Sequence, residues 1–149
     1  MSYTESDYEN ALIELFENNL GYECVCGYDI DHNVKSPLYD TVLEESVFRI
    51  NKGKPYDAIQ NALLTLRNFE NGTLVQKNAV FTDYLQNGIS ARYTENGEER
   101  SALIYLIDWD NIENNSFICA NQWTFIENSN RRPDILLFIN GLPLVLIEL

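Results

Sequence analysis

The sequence predicts an α/β fold of the mixed α+β kind, in which a central mixed sheet is flanked by helices. The first observation is that apolar residues recur at helical spacing through much of the N-terminal half. The second is that the C-terminal half changes to strand-like patterns, with Asn-Gly pairs between neighbouring segments. The third is that 149 residues, 45% of them hydrophobic, suffice for one domain with a true core.

Four segments are predicted to form helices. The first covers residues 4–22, where Thr4 with Asp7, or Ser6 with Glu9, fits a capping box. Its apolar residues lie on one stripe, and a glycine near its end suits a helix stop. The other predicted helices cover residues 40–51, 56–69 and 74–88.

Strand patterns follow from Gly88 onwards, after one earlier strand near the first helix. Asn96-Gly97 and Asn140-Gly141 are predicted to be hairpin turns, because both residue types accept positive φ angles. The polar segment 128–133 is predicted to be a loop. The predicted strands cover residues 22–30, 88–95, 100–108, 116–127, 134–139 and 142–149.

Two carboxylates bracket the last predicted hairpin, because Asp134 opens its first strand and Glu148 lies near the end of its second. Both strands are apolar on both faces, which predicts that the hairpin lies in the interior of a covered sheet. A plain two-residue turn at Asn140-Gly141 would put Asp134 opposite Ile147 and send Glu148 to the other face. A longer turn or a bulge would shift the register by one, and the two acids would then share a face as diagonal neighbours.

The chemistry of this acid pair depends on what neutralises it. Two carboxylates about 4 Å apart repel each other by roughly 4 kcal/mol at an effective dielectric near 20, so they need a proton, an arginine or a divalent cation. Oxygen ligands suit Mg²⁺, which assists phosphodiester hydrolysis by supplying a nucleophilic water and neutralising developing charge. The alternative interpretation is that Asp134 lies in a turn beside Pro133 and that Glu148 is solvated at a strand end.

Charge and composition argue against several classes of protein. The net charge of −13 disfavours a free-standing nucleic-acid binder, because an acidic surface repels phosphate. No segment fits a transmembrane helix or a signal peptide, so we expect no membrane partner. Three cysteines without a disulfide framework favour a reducing cytoplasm. Without a Gly-rich phosphate loop, the chain itself is not expected to bind ATP.

The terminal segment RRPDILLFINGLPLVLIEL, residues 131–149, resembles the nuclease hairpin of the R (HsdR) subunit of type I restriction enzymes. Pro133-Asp134 and Glu148-Leu149 match the first two parts of that family's PD-(D/E)xK motif. The preceding segments also resemble the family, so the similarity covers nearly the whole chain. Those segments are residues 9–23, 66–88 and 105–125.

This resemblance implies a restriction-endonuclease-like domain that acts on duplex DNA. It implies that Asp134 and Glu148 hold Mg²⁺ as catalytic acids, and that Glu9 in the first helix is a further catalytic acid. Arg131 and Arg132, the only adjacent basic pair in the chain, are then expected to meet a DNA phosphate near the metal site. The alternative for Glu9 and for both arginines is a solvated side chain.

The resemblance also implies ATP-driven motor domains, absent from this chain, and methylation (M) and specificity (S) subunits as partners. The motif lysine would follow Leu149, and a Gln-x-x-x-Tyr element would follow the hairpin; neither is present. We therefore interpret residues 1–149 as the N-terminal endonuclease domain of a longer protein, truncated just before the motif lysine and inactive on its own. Two alternatives are an acidic DNA-mimic inhibitor, which the charge supports, and an inactive nuclease-like interaction module.

Overall fold

A computed structural model describes residues 2–69 and 72–149 of the chain. The chain divides into two compact units. One comprises residues 1–43 and 116–149, and the other comprises residues 44–115. Among the helices of the described residues, none combines the length and the apolar character that crossing a lipid bilayer requires.

Helices lie in all four segments where the sequence predicts them. They are α1 (Glu5–Glu14), α2 (Asp40–Ile50), α3 (Tyr56–Arg67) and α4 (Leu74–Asn87). Of the two candidate capping boxes at the start of α1, the one formed is that of Thr4 and Asp7. The Thr4 hydroxyl accepts a hydrogen bond from the Asp7 N–H, and the Asp7 carboxylate accepts one from the Thr4 N–H. A π-helical turn, Leu15–Asn19, continues α1 towards the first strand.

Eight strands are formed by the described residues. They are β1 (Glu23–Cys26), β2 (Ile89–Glu95), β3 (Glu98–Ile104), β4 (Phe117–Asn121), β5 (Phe125–Glu127), β6 (Ser129–Arg131), β7 (Ile135–Ile139) and β8 (Leu142–Ile147).

A four-stranded mixed sheet forms the centre of the first unit, with strand order β1-β4-β7-β8. β1 runs parallel to β4, whereas β4–β7 and β7–β8 are antiparallel. Residues of α1 pack on one face of the sheet, against Cys119, Ile135 and Leu137. A second core cluster, which includes Trp123, Leu136 and Phe138, lies on the opposite face of the sheet. The predicted mixed sheet flanked by helices is confirmed, and the first helix packs on the β7–β8 hairpin through Ile135, Leu137 and Ile147.

In the second unit, α3 packs on the β2–β3 hairpin. The helix is amphipathic, because its apolar residues recur at three- and four-residue intervals along one face. Its buried residues are Ala58, Ile59, Ala62, Leu63 and Leu66.

Three strand predictions and one loop prediction need correction. The predicted strand 22–30 ends at Cys26, because residues 27–29 form a 3-10 helical turn. The predicted strand 100–108 ends at Ile104, because the Asn51 side chain hydrogen-bonds both the N–H and the C=O of Tyr105, each at 2.8 Å. The predicted strand 116–127 is broken at Gln122, whose φ of 54° leaves the extended region and separates β4 from β5. The predicted loop 128–133 contains β6, which pairs with β5 around Asn128.

The last hairpin was predicted to lie in the interior of the sheet, and this holds for only one of its two strands. β7 lies in the interior of the sheet and is buried along most of its length. β8, in contrast, is the edge strand of the sheet that the described residues form, and Val145 and Leu146 are about half exposed there. The expectation that both strands lie inside the sheet is therefore wrong for β8. An apolar edge strand and an apolar interior strand have the same sequence pattern, so periodicity could not separate them.

Candidate active site at the bulged hairpin

The β7–β8 turn is tightly held by the chain around it. Ile139 pairs with Leu142, so Asn140-Gly141 is a two-residue turn, and both residues have positive φ. Asn140 is fully buried, and its side-chain oxygen accepts a hydrogen bond of 2.7 Å from the Ser116 N–H. The Gly141 C=O accepts a hydrogen bond of 2.9 Å from the Tyr39 N–H. These contacts anchor the end of the hairpin opposite to the two acids.

A β-bulge lies between this turn and the acids. Phe138 pairs with Pro143, but Leu137 pairs with Val145, so Leu144 is an extra residue on β8. The register beyond the bulge is therefore shifted by one relative to a plain two-residue hairpin. Of the two registers considered from the sequence, the shifted one is formed.

The shifted register brings Asp134 and Glu148 opposite each other. The last pair of the ladder is Ile135 with Ile147, and one further step along both strands aligns the two acids. Both acids lie one residue beyond the ends of β7 and β8, and the register, continued by that one residue, places them directly opposite each other, not diagonally as expected from the sequence. Residues directly opposite on neighbouring strands share a face of the sheet, so both carboxylates lie on one side.

The immediate partners of this pair are few. The Asp134 carboxylate accepts a hydrogen bond of 2.6 Å from the backbone N–H of Leu149, which ties the start of β7 to the end of the chain. Asp134 is half-buried and Glu148 is exposed. Within the part of the chain that the structure describes, no lysine or arginine forms an ion pair with either carboxylate. The acid pair thus retains the oxygen atoms that a cation would need.

Glu9 lies at the same end of the sheet, but on the helix side. Its carboxylate accepts a hydrogen bond of 3.1 Å from the side-chain amide of Asn121, the last residue of β4. Asn121 is paired with Ile135, the residue after Asp134. Strand alternation directs Asp134 to the face opposite to the one that α1 covers. Among residues 2–69 and 72–149, no group of three or more His, Cys, Asp or Glu side chains is placed to hold a metal ion.

The two arginines precede Asp134 in different settings. Arg131 is the last residue of β6 and pairs with Phe125. Arg132 donates a hydrogen bond to the hydroxyl of Tyr28, and its guanidinium lies 6.0 Å from the centroid of the Tyr28 ring. Both arginines are exposed, so both are accessible to a ligand.

Two residues of this region were not singled out from the sequence. Asn121, which holds Glu9, could have been noticed in the sequence, because it is a polar residue at the end of an otherwise apolar strand. Tyr28 is 104 positions from Arg132, and nothing in the local sequence links the two.

Two cysteines of the first unit, Cys24 and Cys119, lie in the core between the sheet and α1. Cys24 and Cys119 are opposite each other on β1 and β4. Burial raises the pKa of the Cys119 thiol to about 12, and burial also raises the pKa of Cys24. Because only the thiolate is a good nucleophile or metal ligand, these two thiols are inert near neutral pH.

Fold and sequence similarity together place the chain among known proteins. The mixed sheet flanked by helices is consistent with a nuclease-like fold. The chain belongs to the family described as type I restriction enzyme R protein N terminus (HSDR_N), whose sequence profile matches residues 2–149.

Individual relatives are named as endonuclease subunits of type I restriction enzymes. A putative type I restriction enzyme endonuclease subunit of Methanocaldococcus jannaschii, MjaIXP, is 31% identical over 94% of this chain. The HindI endonuclease subunit of Haemophilus influenzae is 30% identical over 97% of the chain, and a second M. jannaschii subunit, MjaVIIIP, is 33% identical over 98%. The alignments cover only 14%, 15% and 14% of the lengths of these three relatives.

Proposed function

We propose that this chain is the endonuclease domain of the R subunit of an ATP-dependent type I restriction enzyme. The intact subunit would cut duplex DNA by Mg²⁺-assisted phosphodiester hydrolysis, with Asp134 and Glu148 as the metal ligands. The observation that supports this most strongly is the bulged register, which aligns two acids without a basic partner among the described residues. Membership of the R protein family supports the same proposal independently.

The residues present fit a magnesium ion. Mg²⁺ is commonly held by one or two carboxylates together with waters and substrate phosphate, and two facing carboxylates provide that donor set. When bound, the ion would supply a nucleophilic water and neutralise the charge that develops on the phosphate. Asp134 is preorganised for this role, because the Leu149 N–H fixes one of its oxygens.

Further residues have supporting roles in this proposal. Glu9 is a further catalytic acid in this proposal; it reaches the same end of the sheet from the face that α1 covers, where the Asn121 amide holds its carboxylate in place. Arg131 and Arg132 bind the DNA phosphate that enters the site. We propose that ATP hydrolysis and the methylation and specificity partners act through parts of the enzyme outside these 149 residues, in the cytoplasm.

The chain of residues 1–149 alone should not cut DNA. The resemblance to the PD-(D/E)xK motif implies a lysine two positions after Glu148, and that position is outside these residues. Without this compact cation, the attacking water lacks a group that positions or activates it. An acidic DNA mimic is the weaker alternative, because it gives no reason for Asp134 and Glu148 to be aligned across the hairpin.

A metal-binding experiment on this chain tests the proposal. Mn²⁺ replaces Mg²⁺ as a paramagnetic probe, and amide NMR signals report which residues lie close to it. We expect selective broadening at residues 134–135 and 147–149, and loss of that broadening in Asp134→Asn and Glu148→Gln. Glu95→Gln and Glu98→Gln are matched controls, because this acid pair also flanks an Asn-Gly turn. Broadening that is strongest near residues 95–98 would contradict the proposed metal site.

A further inference from the structure

Basic residues are scarce in the first unit, and their positions are informative. In residues 1–43 and 116–149 there are twelve Asp and Glu residues but only three Lys and Arg residues, a net charge of 3 − 12 = −9. The three basic residues are Lys35, Arg131 and Arg132. Lys35 precedes the adjacent pair Arg131 and Arg132 by almost 100 positions, so only the fold can bring it close to them.

The fold places all three around the β5–β6 hairpin. The backbone N–H of Ile126 in β5 donates a hydrogen bond of 2.7 Å to the C=O of Val34, the residue before Lys35. On its other side β5 pairs with β6, which ends at Arg131, and Arg132 follows directly. The loop that contains Lys35 and the strand that contains Arg131 therefore flank the same short strand. All three basic side chains are exposed.

Tyr28 restrains one member of this group. Its hydroxyl accepts a hydrogen bond from Arg132, and its ring lies beneath the guanidinium. These contacts restrict the rotamers of a long side chain, so less entropy is lost when the guanidinium binds an anion. A guanidinium has five N–H donors, and the hydrogen bond to Tyr28 uses one of them.

The net charge of the segments around the β5–β6 hairpin differs sharply from the net charge of the rest of the first unit. Residues 28–36 and 124–133 contain three basic residues and three acidic ones, Asp29, Asp31 and Glu127, and their net charge is 3 − 3 = 0. The rest of the unit contains nine acidic residues and no basic residue. A polyanion that approaches the unit is therefore least repelled at this surface.

We propose that Lys35, Arg131 and Arg132 form one surface that binds the phosphate backbone of duplex DNA, with Tyr28 as the positioning residue for Arg132. This inference rests on the proposed nuclease function and extends it to Lys35 and Tyr28. Only Pro133 separates Arg132 from Asp134, so a phosphate held here leads the DNA backbone towards the acid pair. Contacts of this kind position DNA without reading its sequence.

A binding assay with the 149-residue chain tests the surface. A short fluorescent DNA duplex is titrated at low salt without Mg²⁺, and fluorescence anisotropy reports binding. The double variant Arg131→Glu/Arg132→Glu should weaken binding by at least about tenfold and reduce the salt dependence, because two phosphate contacts are lost. Lys52→Glu/Lys54→Glu is the matched control: it changes the net charge equally at two exposed lysines of the second unit, and we expect less than about a twofold effect.

Single variants separate the contributions of Lys35 and Tyr28. Lys35→Glu should weaken binding more than Lys52→Glu does. Tyr28→Ala should weaken binding without changing the salt dependence, because Tyr28 has no charge, and Tyr28→Phe should restore part of the affinity through its ring. Circular dichroism of each variant verifies that the fold is retained.

Two outcomes would overturn this proposal. One is an equal loss of binding in the control and in the arginine variant, which would mean that only net charge matters. The other is that duplex DNA at low salt shifts no backbone amide signals in residues 33–36 and 125–132 of the unmodified chain. The nuclease assignment is judged separately, by metal binding and by cleavage in the intact enzyme, so either proposal can fail while the other stands.

Discussion

Two hairpins of this chain contain the same Asn-Gly turn, and their turn backbones agree closely. The φ angles are 53° at Asn96 and 77° at Gly97, compared with 52° at Asn140 and 78° at Gly141. Positive φ at both positions is typical of the type I′ turn that Asn-Gly favours. The turn alone therefore does not distinguish the β2–β3 hairpin from the β7–β8 hairpin.

The two hairpins differ in the strand pairing beyond the turn. β2–β3 keeps one register along its whole length, whereas β7–β8 shifts by one residue at Leu144. Pro143 precedes the extra residue, and proline is tolerated at edge strands and bulges because it donates no hydrogen bond to a ladder. Without the shift, Asp134 would face Ile147 and the two acids would lie on opposite faces.

Both hairpins align a pair of acids, but in different surroundings. Glu95 faces Glu98 across the first turn, and Arg100 forms ion pairs with both, at 3.0 Å and 3.6 Å. Asp134 and Glu148 have no such partner among the described residues. An acid pair that an arginine already neutralises has little affinity left for a cation. Of these two hairpins, the β7–β8 hairpin is therefore the one proposed as a metal site.

If the proposed function holds, the largest effect is expected on DNA cleavage by the intact R subunit, reconstituted with the methylation and specificity subunits proposed as its partners. Asp134→Ala or Glu148→Ala should reduce cleavage by at least about a hundredfold, because metal-assisted chemistry is worth several kcal/mol. Glu95→Ala and Glu98→Ala should leave cleavage nearly unchanged. Parallel assays of plasmid cleavage and ATP turnover measure this, and ATP turnover should persist in all four variants. Cleavage that survives in both hairpin-acid variants would show that these are not the catalytic acids.

The next largest effect concerns the two turn glycines and the free energy of unfolding. At Gly141, an added Cβ would lie 2.5 Å from the Tyr39 O and from the Leu43 N, whereas at Gly97 it would meet no atom within 4 Å. Gly97→Ala should cost about 1–2 kcal/mol, from left-handed backbone strain alone. Gly141→Ala should cost about 3–5 kcal/mol, because backbone atoms must also move. Urea unfolding of both variants measures the loss in free energy of unfolding. Equal losses would show that the backbone atoms around the β7–β8 turn can move away from the added methyl group at little cost.

A smaller difference is expected at the turn asparagines. Asn140→Ala removes the acceptor of the Ser116 N–H at a fully buried position and should cost about 2–3 kcal/mol. Asn96 is exposed, so Asn96→Ala should cost about 1 kcal/mol or less, from the loss of a residue that tolerates positive φ. The same urea titrations measure both values. A larger cost at Asn96 would mean that turn propensity matters more than burial.

The smallest effect is expected from Arg100. The side chains of Arg100 and Glu95 are about half exposed and that of Glu98 is 75% exposed, and solvent screens ion pairs of this kind. Arg100→Gln should therefore change the free energy of unfolding by no more than about 0.5 kcal/mol, with a difference that shrinks in high salt. The same variant should increase Mn²⁺ broadening near residues 95–98, because it frees the acid pair. No increase there would show that facing acids alone do not create a cation site.

Much of the local structure was predictable because it depends on neighbours in the sequence. The four helices and both Asn-Gly turns follow from spacing and residue type, and the Thr4–Asp7 capping box is one of the two that the sequence offered. The end of β3 was not predictable, because it depends on the Asn51 side chain, 54 positions from Tyr105. The candidate acids were identified from their positions at the two ends of the hairpin, and the family resemblance added Glu9 and the two arginines.

The sequence by itself determined that Asp134 and Glu148 bracket an apolar hairpin with an Asn-Gly turn. It left two strand registers open, with either Ile147 or Glu148 opposite Asp134. Both strands are apolar on both faces, so the two registers bury the hydrophobic residues equally well and the hydrophobic pattern cannot distinguish them. Only the tertiary structure decided in favour of the bulge, placed Glu9 beside Asn121, and gathered Lys35 with the arginines around β5. These arrangements join residues that are far apart in the chain, so packing and backbone pairing determine them, and local propensity does not.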